Sequence, residues 1–171
     1  MNGNIINSNR RAVALKSLLN LNQKYLKPGV DMKGIDYLCG IKNGSIAPPP
    51  VANLLGYKIH KVESGRTQFS FTPAEYHYNP FLVVHGGLIT TILDSSMTAA
   101  VMTLLDEKQT CMTIEIKTQF NRPVTERTGD IIADGKTIHL GKNIAFAEGT
   151  IFDAQGKRYA HATSSCLIYD A

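Results

Sequence analysis

A chain of 171 residues, 43% of them apolar and 19% charged, has the composition of one ordinary globular domain with a sizeable core. Its formal charge of +4 is too mild to demand a nucleic-acid partner, yet it suits a small polyanion. Three cysteines at wide, patternless spacing (Cys39, Cys111, Cys166) fit reduced thiols in a cytoplasm better than a disulfide framework. Neither Cys-x-x-Cys nor His-Glu-x-x-His occurs, so no metal and no resident cofactor are expected.

The first thirty residues hold no acid but carry Arg10, Arg11, Lys16, Lys24 and Lys27. An organellar targeting segment has this composition, but the favoured reading is a basic surface helix. Val13, Leu15, Leu18, Leu19 and Tyr25 give it a loose apolar face, and Pro28-Gly29 ends it. A second short helix is expected over Met32–Ile41. Pro48-Pro49-Pro50 then forms a stiff connector into a helical turn at Val51–Leu55. Residues 1–50 therefore read as a helical extension and 51–171 as the main domain.

From Tyr57 onward the signals are those of strands. Tyr57–Val62 and Thr67–Thr72 flank a hairpin turn at Glu63-Ser64-Gly65-Arg66. Thr113–Phe120 alternates, which predicts Ile114, Ile116, Thr118 and Phe120 on one face and Thr113, Glu115, Lys117 and Gln119 on the other. Ile131–His139, Asn143–Phe152 and Tyr159–Tyr169 follow, joined by short turns that imply antiparallel neighbours. Between the second and third strands lies Gly86–Leu105, twenty residues with one charge, Asp94. Its serines and threonines and the lack of flanking cations argue against a membrane span. The predicted fold is α+β: a curved antiparallel sheet wrapped around this long central helix, preceded by the helical extension.

A largely buried helix carrying one carboxylate is costly to build unless the carboxylate is used. Its first amides, at Gly86 and Gly87, lack intrahelical acceptors and lie at the positive end of the helix dipole, which suits an oxyanion. Asp94 stands eight residues on, about 12 Å along the axis. The two cannot act on one carbonyl within one chain, whereas two antiparallel helices across a two-fold axis would bring them together. Thr90, Thr91 and Thr98 lie on the Asp94 face. Asn79, ahead of Pro80, suits a turn but its amide could also orient water or a carbonyl. His85 suits positioning better than proton transfer, since histidines at helix starts often cap.

The string Tyr78-Asn79-Pro80, four residues, His85-Gly86-Gly87, then Leu93-Asp94 resembles the hotdog-fold thioesterases, and within them the PaaI-like (phenylacetic acid degradation type) acyl-CoA thioesterases. The resemblance continues through Pro48-Pro49-Pro50, Leu54-Leu55-Gly56, Phe120-Asn121-Arg122-Pro123 and Ala160-His161-Ala162-Thr163, and covers roughly residues 32–169. It implies homodimers that commonly pair into tetramers, acyl-CoA as substrate and no metal. The Gly86 amide would polarise the thioester carbonyl. Asp94 of the partner subunit would act as base or nucleophile. Asn79 would hold water or the carbonyl, Thr113 would lie near that water, and His85 would support the glycine turn and the Asn79 side chain.

A thioester carbonyl is electrophilic and its thiolate leaves readily, so the absence of Gly-x-Ser-x-Gly is no obstacle. Arg122 and Lys142 are the candidates for the coenzyme A phosphates, with Lys157 and Arg158 behind them. Gly87, Phe81, Val84 and Met97, with Tyr76 and Leu82, are candidates for holding the substrate and lining an acyl pocket. The alternatives are a hotdog that binds acyl-CoA without turnover, as a sensor, and a hotdog hydratase or dehydratase. Neither nucleic acid nor membrane is an expected partner.

Overall fold

The computed structural model describes residues 32–170, so the helix expected at Val13–Tyr25 lies outside the described residues. Two short helices come first, α1 (Gly34–Asn43) and α2 (Pro50–Leu55). A hairpin follows, β1 (Lys58–Glu63) and β2 (Arg66–Phe71), then the central helix α3 (Gly86–Met102). The chain ends in β3 (Gln109–Phe120), β4 (Ile131–Leu140), β5 (Ile144–Asp153) and β6 (Arg158–Asp170). All strand pairs are antiparallel, in the spatial order β1-β2-β4-β5-β6-β3, and the sheet lies against α3 as predicted.

The boundaries depart from expectation where local chemistry intervenes. α1 runs past Ile41 because its stop is Gly44, whose φ of 84° takes up the left-handed conformation. α3 ends at Met102 rather than Leu105. There the Thr103 hydroxyl bonds back to the Ala100 carbonyl and also accepts the Gly65 amide at 2.7 Å, tying the helix end to the β1–β2 turn. With 17 residues, α3 is no exception to the rule that no helix among the described residues is long and apolar enough to cross a membrane.

Two expectations about β3 are overturned. First, it does not neighbour β4: it pairs with β6 at the sheet edge, and β4 pairs with β2. The 121–130 link holds Pro123 and a 3-10 turn at Glu126–Thr128, and it is long enough to cross the end of the sheet rather than make a hairpin. Second, the ladder register shifts between Thr113 and Glu115. This bulge turns Ile114 outward, 55% exposed, and puts Thr113 on the helix face together with Thr118. A strict period of two had separated them.

The helix is seated by a row of small residues across the sheet. Thr67, Gly135, Gly149, Ala162 and Thr118 stand opposite one another in register on β2, β4, β5, β6 and β3. A Cβ on Gly135 would lie 2.3 Å from the Ser96 carbonyl group, so α3 touches the sheet backbone there. Thr67 donates to the Ser96 carbonyl at 2.7 Å, and Thr118 meets Thr90 at 3.2 Å. Ile92, Leu93, Met97, Ala100 and Val101 of α3 are wholly buried, packing with Phe71, Ile131 and Ile151 into the core. Burial of this order stabilises by about 1.5–3 kcal/mol per large side chain.

The seating makes an ordered prediction. Gly135→Ala meets helix backbone and is expected to cost roughly 1–3 kcal/mol or more, read as a lower urea midpoint with unchanged slope. Gly149→Ala meets only the Met97 and Leu93 side chains, at 3.0–3.2 Å, and should cost less. The reverse order would show that the helix is not seated on Gly135.

Candidate active site

The loop from Pro73 to His85 delivers the start of α3. His77 is buried, its Nδ1 accepting the Ala74 amide at 3.0 Å and its ring packed against Phe71 and Tyr76. Burial lowers its pKa, which keeps the ring neutral. Its carbonyl accepts the His85 amide at 2.9 Å. Asn79 Oδ1 accepts the Phe81 amide at 2.9 Å, a side-chain turn, while its Nδ2 has no partner among the described residues. Asn79 thus makes the expected turn with its oxygen and, among the described residues, keeps both amide donors available. Leu82, with φ 59°, closes this tight reversal.

His85 is the N-cap of α3. Its Nδ1 accepts the Gly87 amide at 2.9 Å, so it supports the glycine turn but makes no bond to the Asn79 side chain. The cap also occupies Gly87, leaving that amide unavailable to a ligand. The Gly86 N–H has no acceptor among the described residues. Gly86 and Asn79 border one cavity of about 340 Å³, with Val84, Phe120 and Arg122 around them. A Cβ on Gly86 would lie 3.1 Å from the Phe120 ring, which stands over the glycine.

Asp94 lies on the exposed flank of the same helix, half-buried rather than enclosed. Thr113 donates to its Oδ1 at 2.6 Å, and Thr98, 2.9 Å from the Thr113 hydroxyl and 3.4 Å from Oδ1, completes the clamp. Oδ2 has no hydrogen-bond partner among the described residues. The other threonines are engaged elsewhere: Thr91 with the Gly87 carbonyl, Thr90 with Thr118. Beneath the clamp lie Cys111 and Cys166, both buried. The Cys111 thiol donates to the Thr98 carbonyl at 3.8 Å, and the neighbouring Cys166 together with burial pushes it above its ordinary range.

Asp94, Thr98 and Thr113 border a second cavity, of about 730 Å³, between α3, β1 and the two short helices. Gly86 is not part of it. Sequence reasoning missed Ser95 and Tyr57 there, whose hydroxyls lie 2.9 Å apart. Burial raises the Tyr57 phenol pKa, with the Ser95 hydrogen bond opposing, so the phenol remains a neutral hydrogen-bonding group. Tyr57 looked like any strand residue, and only the third dimension brings it to Asp94.

The structure separates the remaining candidates. Met97 is wholly buried against Gly149 and borders neither cavity, because its side of α3 faces the sheet. Phe81, Leu82 and Tyr76 are 85%, 71% and 81% exposed and line neither cavity, whereas Val84 borders the Gly86 cavity. Arg122 donates to the Arg158 carbonyl at 2.6 Å. It also borders an open groove of about 420 Å³ with Lys157 and Arg127, a cation that the sequence did not single out. Lys142, exposed in the β4–β5 turn, lies at the opposite end of the sheet, roughly 30 Å from Arg122 by strand length.

With this geometry the matches to known proteins acquire meaning. Residues 81–160 match the family model of the thioesterase superfamily. A protein of Saccharolobus solfataricus, provisionally named an esterase, is 25% identical over 119 residues, 70% of this chain and 77% of that one. The fold is similar to a phenylacetic acid degradation-related protein of Ralstonia eutropha JMP134 (TM-score 0.70, 26% identity, 77% of this chain and 98% of that one). It is equally similar to the PaaI protein of the Escherichia coli phenylacetic acid degradation operon (TM-score 0.70, 18% identity, 80% and 96%). The chain has the hotdog fold, and its segment 81–160 matches the thioesterase superfamily.

The cap predicts a measurable effect of His85. His85→Ala removes the acceptor for the Gly87 amide and is expected to lower stability by about 0.5–2 kcal/mol in chemical denaturation. His85→Asn, which can accept the same bond, should recover most of it. Equal losses in the two variants would deny the capping role.

Proposed function

We propose that the protein hydrolyses acyl-CoA thioesters, with each active site assembled from two copies of the chain. The observation that carries this reading is the division of labour along α3. Among the described residues, its N-terminus offers a Gly86 N–H without an acceptor, and its middle offers a carboxylate with one oxygen held and one without a partner. Eight residues, about 12 Å, keep these groups from meeting in one chain, and they open onto different cavities. An antiparallel two-fold pairing of α3 brings each Gly86 to the Asp94 of the partner subunit. Three exposed apolar side chains in the loop before Gly86 (Tyr76, Phe81, Leu82) favour a second chain covering that surface. The same pairing would let Arg122 of one chain and Lys142 of the partner subunit serve one coenzyme A.

In this mechanism the Gly86 amide and the positive end of α3 stabilise the oxyanion that forms on the thioester carbonyl. The Asn79 amide orients the carbonyl or the attacking water. Asp94 removes a proton from water as the water oxygen bonds to the acyl carbon. The carbon–sulfur bond then breaks, and the departing thiolate takes up that proton. Thr113 and Thr98 fix the carboxylate and leave Oδ2 for this task. In the nucleophilic variant Oδ2 attacks the carbon itself and water hydrolyses the resulting anhydride. Single turnover in labelled water separates the routes, since only the second delivers solvent oxygen to Asp94. Arg122, with Arg127 and Lys157, supplies positive potential for the coenzyme A phosphates.

Two variants and their mixture test the reading. Asp94→Asn is expected to lower thiol release from acyl-CoA by at least about 10²-fold. Gly86→Pro deletes the amide hydrogen at the first helical position, where proline is well tolerated. His85, with φ −58° and ψ 131°, already has a backbone suited to precede proline. The expected loss is about 10²–10³-fold in kcat. Mixing and re-annealing the two inactive variants should restore activity at about a quarter of sites, because one site of each mixed dimer keeps both groups. No recovery in verified mixed dimers would refute sharing. Wild-type binding of acyl-CoA without thiol release would transfer the reading to a sensor.

A further inference from the structure

We propose that the large cavity beside Asp94 is the acyl chamber and that it selects extended apolar acyl groups, its size set by α1 and α2. The inference rests on the proposed thioesterase reading for the position of the thioester, and the test below separates the two. The chamber, about 730 Å³, lies within the range of sites that enclose drug-sized molecules and far exceeds what an acetyl group fills. Its polarity is graded. Asp94, Ser95, Thr98 and Thr113 gather along one wall, beside the Tyr57 hydroxyl. Tyr37, Leu38 and Ile41 of α1, Ala52 of α2, and Ile59 and Phe69 of the hairpin make the remainder largely apolar. Lys42, Asn53 and Lys58, all exposed, add polar groups where the lining meets solvent. A thioester carbon placed at Asp94 therefore directs its hydrocarbon tail under the two helices.

These roof residues all precede residue 81, outside the segment that matches the thioesterase superfamily. That segment supplies Gly86, Asp94 and Thr113, while the part before it shapes the chamber. The roof is fixed to the catalytic helix itself: a Cβ on Gly34 would collide with the Met102 carbonyl, and Tyr37 and Leu38 are buried. A chamber with a rigid roof discriminates by chain length. Each methylene it buries raises kcat/KM by up to about fourfold, so octanoyl-CoA is expected to exceed acetyl-CoA by about 10² or more.

The chain has no tryptophan, which supplies a clean reporter. Ile41→Trp places the sole indole in the roof, and Ile138→Trp places it on the outer sheet face, where Ile138 is 57% exposed. Decanoate should give a saturable blue shift in Ile41→Trp and none in Ile138→Trp, and acetate should shift neither. Ile41→Trp should also lower the ratio of kcat/KM for decanoyl-CoA to that for butyryl-CoA by about tenfold. Equal shifts in both variants, or no shift in Ile41→Trp together with no calorimetric binding of decanoate to the unaltered protein, overturn the chamber. If Ile41→Trp does not fold, calorimetric titration of the unaltered protein decides: binding of decanoate but not acetate supports the chamber, and any other pattern overturns it. Thiol release absent for every acyl-CoA would defeat the thioesterase reading, yet the decanoate titrations would still decide the chamber.

Discussion

The close seating of α3 on the sheet is the constraint from which the rest of the structure follows. Gly135 and Gly149, side by side on β4 and β5, let helix backbone and side chains approach the strands where any larger residue would hold them apart. The hydroxyls of Thr67 and Thr118 fasten the helix at both margins of this row, on Ser96 and Thr90. With that face committed, Leu93 and Met97 disappear into the core while Asp94 is turned to the flank. The carboxylate is thereby held at a wall of a cavity instead of inside the core, where its desolvation would be prohibitive without a counter-charge.

The same geometry divides the chemistry. A rigid α-helix cannot fold back on itself, so the donor at its N-terminus and the carboxylate at its middle remain about 12 Å apart whatever the side chains do. Each end is prepared separately. His85 claims the Gly87 amide and leaves that of Gly86, and Thr113 with Thr98 claims one oxygen of Asp94. In the proposed reading a second copy of the chain supplies the missing half, and assembly becomes part of the active site.

Specificity and chemistry occupy different stretches of chain. The part from residue 81 onward carries the helix and the edge strand with its bulge. The short helices before it, the first of them locked onto α3 through Gly34 against Met102, roof the cavity. A roof built from a separate stretch can change in size without disturbing the clamp on Asp94, a division that suits one reaction to many acyl groups.

The residue pattern alone determined the element order, the central helix with its single carboxylate, the glycines at its start and the impossibility of one chain uniting them. These are one-dimensional quantities: periodicity, composition and the rise of a helix per residue. Tertiary structure decided the rest. The bulge after Thr113 reversed the face on which alternation had placed that residue, because one extra residue shifts the phase of every side chain before it. Met97, three residues from Asp94, was assigned to the pocket but faces the sheet, while Tyr57 and Ser95 meet beside Asp94 across 38 residues. The crossing of the 121–130 link placed β3 at the edge beside β6, a choice that depends on which neighbour buries the strand and not on the strand's own sequence.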